Sequence, residues 1–202
     1  IAVAPGANYS LLPGSIIHFS KVIDEADIIV MQAEIPYETI KRIALLAKQK
    51  GKKVLFNPAP ACLIDEELMK AIDILVVNEL EAAFISGIEY TGNNLEEIAL
   101  SLLQAGARNA VITLGSQGVY MKNDKEIIQL PGYKVNAIDT IAAGDTFCGA
   151  LAVICAQREI DRDALSFANA AAAIAVTRSG AQPSIPTLDE VKHFILEKEL
   201  AL

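Results

Sequence analysis

Apolar runs alternate with helical patterns along the first half of the chain. Four apolar runs of four or five residues have the length and composition of buried strands, and stretches with helical periodicity lie between them. This order is typical of βαβ units, in which helices connect parallel strands. It predicts an α/β fold with a mostly parallel sheet flanked by helices. The predicted strands are 28–32, 54–57, 74–77 and 110–114, and the predicted helices are 38–50, 66–71, 79–85 and 95–105.

The second half predicts a hairpin and then three helices. Strand-like runs at 119–122 and 126–129 flank a polar turn at 123–125, which is typical of a hairpin at a sheet edge. No repeat or linker interrupts the 202 residues, and 52% of them are hydrophobic, so we expect one domain spanning residues 1–202. The further predicted helices are 146–156, 164–177 and 188–199.

Charge and composition exclude several function classes. The net charge is −8 without a basic block, which argues against nucleic acid or an anionic membrane surface as the partner. No apolar run is long enough to span a bilayer, and the first residues lack the basic region and cleavage-type signal that a secretory leader has. Cys62, Cys148 and Cys155 have neither disulfide-framework nor zinc-site spacing, so we expect a cytoplasmic location. His18 and His193 are expected to be solvated.

Residues 139–149 carry the strongest chemical signal. Ala142, Ala143 and Gly144 leave their backbone N–H groups unobstructed, and the apolar run that follows predicts a helix whose first amides face an anion. Asp145 falls in the first turn of that helix. The helix dipole favours its ionised form, so it can accept a proton from a substrate hydroxyl. The alternative is a plain helix cap.

Two further motifs follow predicted strands, at the edge where parallel sheets bind ligands. Asn78 and Glu81 open a helix, and one carboxylate with substrate phosphates suits Mg²⁺. A structural capping box is the alternative, and both roles are compatible. Residues 113–118 form a glycine-punctuated turn, which could equally be a tight turn alone. Neither a GxxxxGK[ST] loop nor a strand-linked GxGxxG occurs, which argues against P-loop and dinucleotide enzymes.

The segment Leu130–Leu151 closely resembles the signature of the ribokinase family of sugar kinases. Ala142 stands where many related sugar kinases have glycine, and this variant is similar to the ribokinase branch itself. The resemblance extends over essentially the whole chain in ordered motifs. These are residues 5–8, 32–34, 57–60, 78–81, 113–118 and 172–184.

The resemblance implies a three-layer α/β/α kinase fold and a reaction. The reaction is ATP-dependent phosphorylation of D-ribose at its 5-hydroxyl, with Asp145 as the base and the Ala142–Asp145 turn holding the transferred phosphoryl group. Family members also carry an N-terminal part with a small lid sheet, which nothing here matches. Residues 1–4 are predicted to be a strand that is entered abruptly, so we expect the chain to begin inside the fold.

The resemblance also implies site residues. Glu34 and Asp145 would bind the sugar, and Glu81 would hold Mg²⁺ through water. The nucleotide would contact Asn78, Thr113, Leu114, Gly115, Ser116, Gln117, Gly118, Gly144 and Asn169. The activating cation K⁺ would be held by Asp139, Ile141, Ala175, Arg178, Gly180 and Ser184. Arg178 and Gly180 could instead simply end a helix.

The implied ligands are ATP and D-ribose, and the intact protein is expected to be a homodimer. Three alternatives stay open. The chain could be a kinase of the same fold for deoxyribose or another small sugar. It could be a non-catalytic nucleotide-binding fragment. It could also be a domain that is active only when a partner supplies the lid.

Overall fold

The computed structural model describes residue 4 and residues 6–200. The predicted strand at 1–4 therefore lies almost wholly outside the described residues. The strands are β1 (Ile28–Gln32), β2 (Lys53–Asn57), β3 (Ile74–Asn78), β4 (Asn109–Thr113), β5 (Val119–Asn123) and β6 (Ile127–Leu130). The helices are α1 (Ser20–Glu25), α2 (Tyr37–Gln49), α3 (Glu66–Met69), α4 (Glu79–Ser86), α5 (Leu95–Gln104), α6 (Ala143–Cys155), α7 (Arg162–Ala175) and α8 (Leu188–Glu199). Short 3₁₀ helices cover Gly6–Ser10, Pro13–Phe19, Gly115–Gln117 and Gln182–Ser184.

The six described strands form one sheet in the order β1-β2-β3-β4-β5-β6. β1 pairs with β2 in parallel, and β2 with β3 likewise. Residues 114–118 connect β4 to β5, and residues 124–126 connect β5 to β6. These connections are too short for a crossover, so both pairs run antiparallel. The predicted mostly parallel sheet with an edge hairpin is confirmed.

Continuous apolar stretches explain the buried strands. Val54, Leu55 and Phe56 in β2 are fully buried, as expected for a parallel strand covered on both faces. Helix α2 packs against β1 and β2, and α4 packs against β3. Buried Ile40 and Ala44 lie one turn apart on α2, so its apolar stripe faces the sheet. Within residues 6–200, no helix is both long and apolar enough to cross a membrane.

The chain contains two compact units. The first comprises Ile1–Ile112 and Met121–Ile127, and the second comprises Thr113–Tyr120 and Ile128–Leu202. In the second unit, α6 packs along α7, and α8 packs on α7 around a cluster that contains Ala171, Ile174 and Val191. The domain prediction for residues 1–202 stays a prediction.

The helical segment before β1 was not predicted. The 3₁₀ helix Pro13–Phe19 and α1 precede β1, yet their apolar residues do not follow a clear helical period. Ile16 and Ile23 are buried, but their neighbours Ile17 and Val22 are 75% and 64% exposed, so exposed apolar residues obscure the helical period. A second difference concerns α6, which begins at Ala143 rather than at the predicted Thr146. Asp145 is therefore the third residue of the helix.

Candidate active site

The turn that leads into α6 has an unusual backbone. Ala142, the residue before the helix, has φ 59° and ψ 11°, and it is the one non-glycine residue with positive φ in the described chain. The N–H of Ile141 donates to Asp139 Oδ1 at 3.0 Å, and the N–H of Thr146 donates to the Ala142 carbonyl at 2.9 Å. We call residues 139–145 the α6 turn.

Two amides at the start of α6 have no protein acceptor. Within the described chain, nothing accepts a hydrogen bond from the N–H of Gly144 or Asp145, and Ala142 has no side-chain oxygen to cap them. Both residues are exposed, and the space beside the Gly144 Cα is open. The positive end of the helix dipole lies at the same place. The α6 turn therefore fits an anion, with the Asp145 carboxylate in the first turn.

A cavity of about 520 Å³ adjoins the α6 turn within the second unit. Ala143 and Gly144 line the cavity and also belong to the α6 turn. Its size and largely apolar wall with a few polar groups are typical of small-molecule sites. The wall consists of Thr113, Gly115, Ser116, Gly118, Gly132, Tyr133, Lys134, Val135, Ala137, Thr140, Ala143, Gly144, Phe147, Asn169, Ala172, Ala173 and Val176.

The β4–β5 turn forms one side of the cavity. Its backbone closes through the Leu114 N–H, which donates to the Gly118 carbonyl at 2.8 Å. A Cβ at Gly118 would lie 2.1 Å from the Leu130 carbonyl oxygen, and one at Gly132 would lie 2.2 Å from the Ser116 carbonyl oxygen. Glycine is thus required for these two backbones to touch.

The predicted nucleotide residues of the second unit divide into two groups. Thr113, Gly115, Ser116, Gly118, Gly144 and Asn169 line the cavity. Leu114 is buried in the core, and Gln117 is not part of the cavity wall. Asn169 is 8% exposed, and its Nδ2 donates to the Pro131 carbonyl at 2.9 Å, which fixes the position of its side chain.

A second loop holds the α6 turn in place. The N–H of Gly180 donates to Asp139 Oδ2 at 3.0 Å, and the N–H of Ile138 donates to the Val176 carbonyl at 2.7 Å. The N–H groups of Ile141 and Gly180 stabilise the ionised carboxylate and lower the pKa of Asp139. We call residues 176–184 the clamp loop.

The oxygens predicted to hold K⁺ lie on these two segments and on the adjoining end of α7. Among described residues, none donates a hydrogen bond to the carbonyl oxygens of Ile141, Arg178 or Gly180. The Ala175 carbonyl accepts from the N–H of Arg178 at 3.0 Å, and buried Ser184 donates its hydroxyl to the Ala181 carbonyl. Carbonyl and carboxylate oxygens are the donor type that K⁺ takes, so the chemistry of this set fits the ion.

Glu81, the predicted magnesium residue, and Asn78, a predicted nucleotide residue, lie in the first unit and form a complete capping box. Asn78 Oδ1 accepts from the N–H groups of Leu80 and Glu81, at 3.0 and 2.8 Å. Glu81 Oε2 accepts from the N–H of Asn78 at 2.9 Å. Burial raises the pKa of Glu81. The structural alternative from the sequence is therefore present.

A capping box does not remove the capacity for a metal. Within the described residues, hydrogen bonds to the Glu81 carboxylate come from Asn78, and a carboxylate accepts several such bonds, so it keeps capacity for water or Mg²⁺. Glu34 is exposed just after β1, and Asn78 ends β3. Because β1, β2 and β3 are parallel, both residues lie at the same edge of the first unit's sheet.

Sequence reasoning missed part of the cavity wall. Residues 131–138, in the connection from β6 to α6, have no regular structure, and five of them line the cavity. Their only signal is the absence of any hydrophobic period. Phe147, Ala172 and Ala173 also line it from α6 and α7. The alanine-rich pattern of α7 indicated close packing but not a ligand wall.

Two curated relatives resemble the chain over nearly its whole length. The ribokinase of Staphylococcus aureus is 40% identical over 195 residues, which are 96% of this chain and 64% of the relative. The deoxyribokinase of Salmonella typhi is 32% identical over 198 residues, with the same two shares. The chain thus spans slightly less than two thirds of the length of these relatives.

Solved structures of ribokinases also resemble the chain over most of its length. The ribokinase of Thermotoga maritima superposes with a TM-score of 0.85 at 40% identity, covering 96% of this chain and 64% of that one. The ribokinase of Arabidopsis thaliana, complexed with ribose and ATP, superposes with a TM-score of 0.83 at 29% identity, covering 88% and 58%.

The family assignment rests on a broader match. The sequence profile of the pfkB family of carbohydrate kinases matches residues 1–188, which is most of the chain. The six-stranded sheet and its flanking helices agree with that match. The chain belongs to the pfkB carbohydrate kinase family.

Proposed function

We propose that this chain carries the phosphoryl-transfer part of a ribokinase. The reaction is ATP-dependent phosphorylation of D-ribose at its 5-hydroxyl, which gives D-ribose 5-phosphate and ADP. The chain spans 64% of the Staphylococcus aureus ribokinase, so the activity of the whole enzyme is proposed for it here.

One observation carries the proposal. The N–H groups of Gly144 and Asp145 are without protein acceptors at the start of a 13-residue helix, and the Asp145 carboxylate lies in the same turn. A phosphoryl group needs such donors, and its acceptor hydroxyl needs a base within reach. The adjoining cavity offers the volume and apolar wall that a nucleoside requires.

The proposed step is an in-line displacement. The Asp145 carboxylate accepts the proton of the ribose 5-hydroxyl as that oxygen forms a bond to the γ-phosphorus of ATP. The bond between the γ-phosphorus and the β,γ-bridging oxygen breaks, and ADP leaves with that electron pair. The amides of Gly144 and Asp145 stabilise the charge on the transferred group.

The other predicted residues support binding. The nucleoside would occupy the cavity beside Asn169 and the β4–β5 turn, and Glu34 would bind sugar hydroxyls. Glu81 would hold Mg²⁺ through water, and the metal would neutralise phosphate charge. Asp139 and the oxygens of Ile141, Ala175, Arg178, Gly180 and Ser184 would hold K⁺, which would fix the shape of the α6 turn.

A second substrate has support of its own. The similarity to a deoxyribokinase makes 2-deoxyribose the main alternative to ribose. The 2-hydroxyl is the group that distinguishes the two sugars, so a site that hydrogen-bonds it would prefer ribose.

The test is ADP release by the purified chain with ATP and Mg²⁺. Ribose and 2-deoxyribose are compared in competition, with and without K⁺, and the Asp145→Asn variant serves as the blank. The proposal predicts ribose-dependent, K⁺-stimulated release that the variant loses. A preference for 2-deoxyribose would mean that this sugar, rather than ribose, is the substrate. Equal release by the variant would refute Asp145 as the base.

We also propose a cytoplasmic location and a homodimeric intact protein, on the strength of the family resemblance. A reducing compartment suits the three thiols, of which Cys148 and Cys155 are buried. Light scattering of the intact protein tests the dimer, since a monomeric mass would contradict it.

A further inference from the structure

An ion pair connects the clamp loop to α8. Arg178 Nη2 donates to Glu190 Oε1 at 2.6 Å, and Nη1 lies 3.5 Å from Oε2. The first contact is a short charge-assisted hydrogen bond, and the second is a longer contact to the other oxygen of the same carboxylate. Both side chains are partly shielded, at 33% and 44% exposure. The pair therefore attaches the loop to the helix at one defined point.

Glu190 itself is fixed from two directions. It is the third residue of α8, and its Oε2 accepts from the N–H of Thr187 at 2.7 Å in a capping box. The next residue, Val191, is 2% exposed in the cluster that packs α8 on α7.

The contacts continue from Arg178 to the α6 turn. Two residues after Arg178, the N–H of Gly180 donates to Asp139 Oδ2, and Asp139 Oδ1 accepts from Ile141. Ile141 precedes Ala142, whose positive φ turns the chain into α6. The non-covalent contacts of this path are Arg178 with Glu190, Gly180 with Asp139 and Ile141 with Asp139. They measure 2.6–3.0 Å and join described residues of the second unit.

We infer that Arg178 and Glu190 are positioning residues for phosphoryl transfer, because their ion pair sets the clamp loop and thereby the orientation of the α6 turn. The inference rests on the proposed function. A purely structural surface pair is the competing interpretation, since exposed ion pairs contribute little to stability. The two interpretations differ in whether loss of the pair changes the α6 turn.

The test variant is Arg178→Met, which leaves Glu190 and the α8 capping box in place. Arg158→Met is the matched control, since it removes an exposed ion pair of the same unit, to Asp161 at 2.6 Å, outside the clamp loop. We expect Arg178→Met to lower kcat about tenfold with little change in the KM for ribose, because a small misplacement of reacting groups is costly. Arg178→Lys should restore part of the rate.

Amide hydrogen exchange gives a readout that does not need activity. In Arg178→Met, the amides of Ile141 and Gly180 should exchange about tenfold faster as the Asp139 contacts loosen, while the interior of α7 keeps its protection. If both amides and kcat match the Arg158→Met control, the inference is wrong. If the wild type shows no sugar-dependent turnover, the proposed function fails, while faster exchange in Arg178→Met still supports the link from the clamp loop to the α6 turn.

Discussion

Helices α4 and α6 begin with the same spacing and opposite results. Each has an acidic residue at its third position, Glu81 in α4 and Asp145 in α6. In α4, Asn78 caps the first amides, and Glu81 returns to the Asn78 N–H. In α6, Ala142 takes the place of the cap, so the amides of Gly144 and Asp145 stay open. One missing cap oxygen thus leaves the first amides of a helix open to an acceptor from outside the protein.

Helix α8 supports this interpretation. Thr187 and Glu190 form a second closed capping box, also with the acidic residue at the third position. Of the four described helices with an acidic third residue, α4 and α8 have a capping box, whereas α5 and α6 have no side-chain cap. Of these two uncapped starts, that of α6 adjoins the cavity.

The largest expected effect is a loss of catalytic rate when the carboxylate of Asp145 is removed. Asp145→Asn keeps the size of the side chain and removes the base, so kcat should fall by at least about 10³-fold. Stability should change by less than about 1 kcal/mol, because the exposed Asp145 side chain caps no amide and loses only its interaction with the helix dipole. Steady-state ADP release and urea unfolding measure both. Asp163→Asn, in the first turn of α7, is the control and should behave as wild type.

The next effect concerns the backbone of the open start. Ala142→Val places a β-branched residue at φ 59°, which such residues avoid, so the α6 turn should shift and kcat should fall about 10²-fold. Ala142→Gly removes the steric conflict and should keep activity within about threefold. Comparable activities of the two variants would contradict a role for this conformation.

The closed start should respond in stability. Asn78→Ala removes the acceptor for the amides of Leu80 and Glu81 and should cost about 1 kcal/mol of unfolding free energy. Thermal unfolding should show a drop in Tm of a few degrees, about 2–4 °C. Asn136→Ala, at an exposed loop position, is the control. An unchanged Tm in Asn78→Ala would mean that the capping box does not stabilise α4.

The smallest effect lies in the pH dependence of the two closed starts. The pKa of Glu190 is lowered to about 2, so its stabilising contribution is complete above its ordinary value of 4.5 and is lost as pH falls toward 2. The pKa of Glu81 is raised above 4.5, so its contribution is complete below 4.5 and is lost as pH rises through the raised value.

Urea unfolding across this acidic range checks both signs. The stability difference between wild type and Glu190→Gln should shrink on acidification. The difference between wild type and Glu81→Gln should decrease as pH rises. Slopes of the same sign would contradict the opposite environments of the two carboxyl groups.

The sequence predicted the buried elements well, because burial imposes periodicity. β1 was predicted at its observed bounds, and β2, β3 and β4 within one residue at either end. The 3₁₀ helix Pro13–Phe19 and α1 were missed, since their exposed apolar residues carry no such period. The start of α6 was displaced by three residues because its first turn is made of small residues and Asp145 rather than apolar ones.

The site was predictable only where chemistry is local. The first-turn position of Asp145 and the alternative capping box of Asn78 both follow from spacing along one helix. The Gly180 contact with Asp139 and the pairing of Arg178 with Glu190 depend on how separate segments meet in space. The hydrophobic periodicity of a sequence does not indicate which distant segments come into contact.

The central claim is that the open start of α6 binds the phosphates of ATP. The most direct test is an amide NMR titration of this chain with a non-hydrolysable ATP analogue and Mg²⁺. We expect the amides of Gly144 and Asp145 to shift, whereas the amide of Ala164, which Asp161 Oδ1 caps at the start of α7, does not. Shifts elsewhere without any at Gly144 and Asp145 would contradict it.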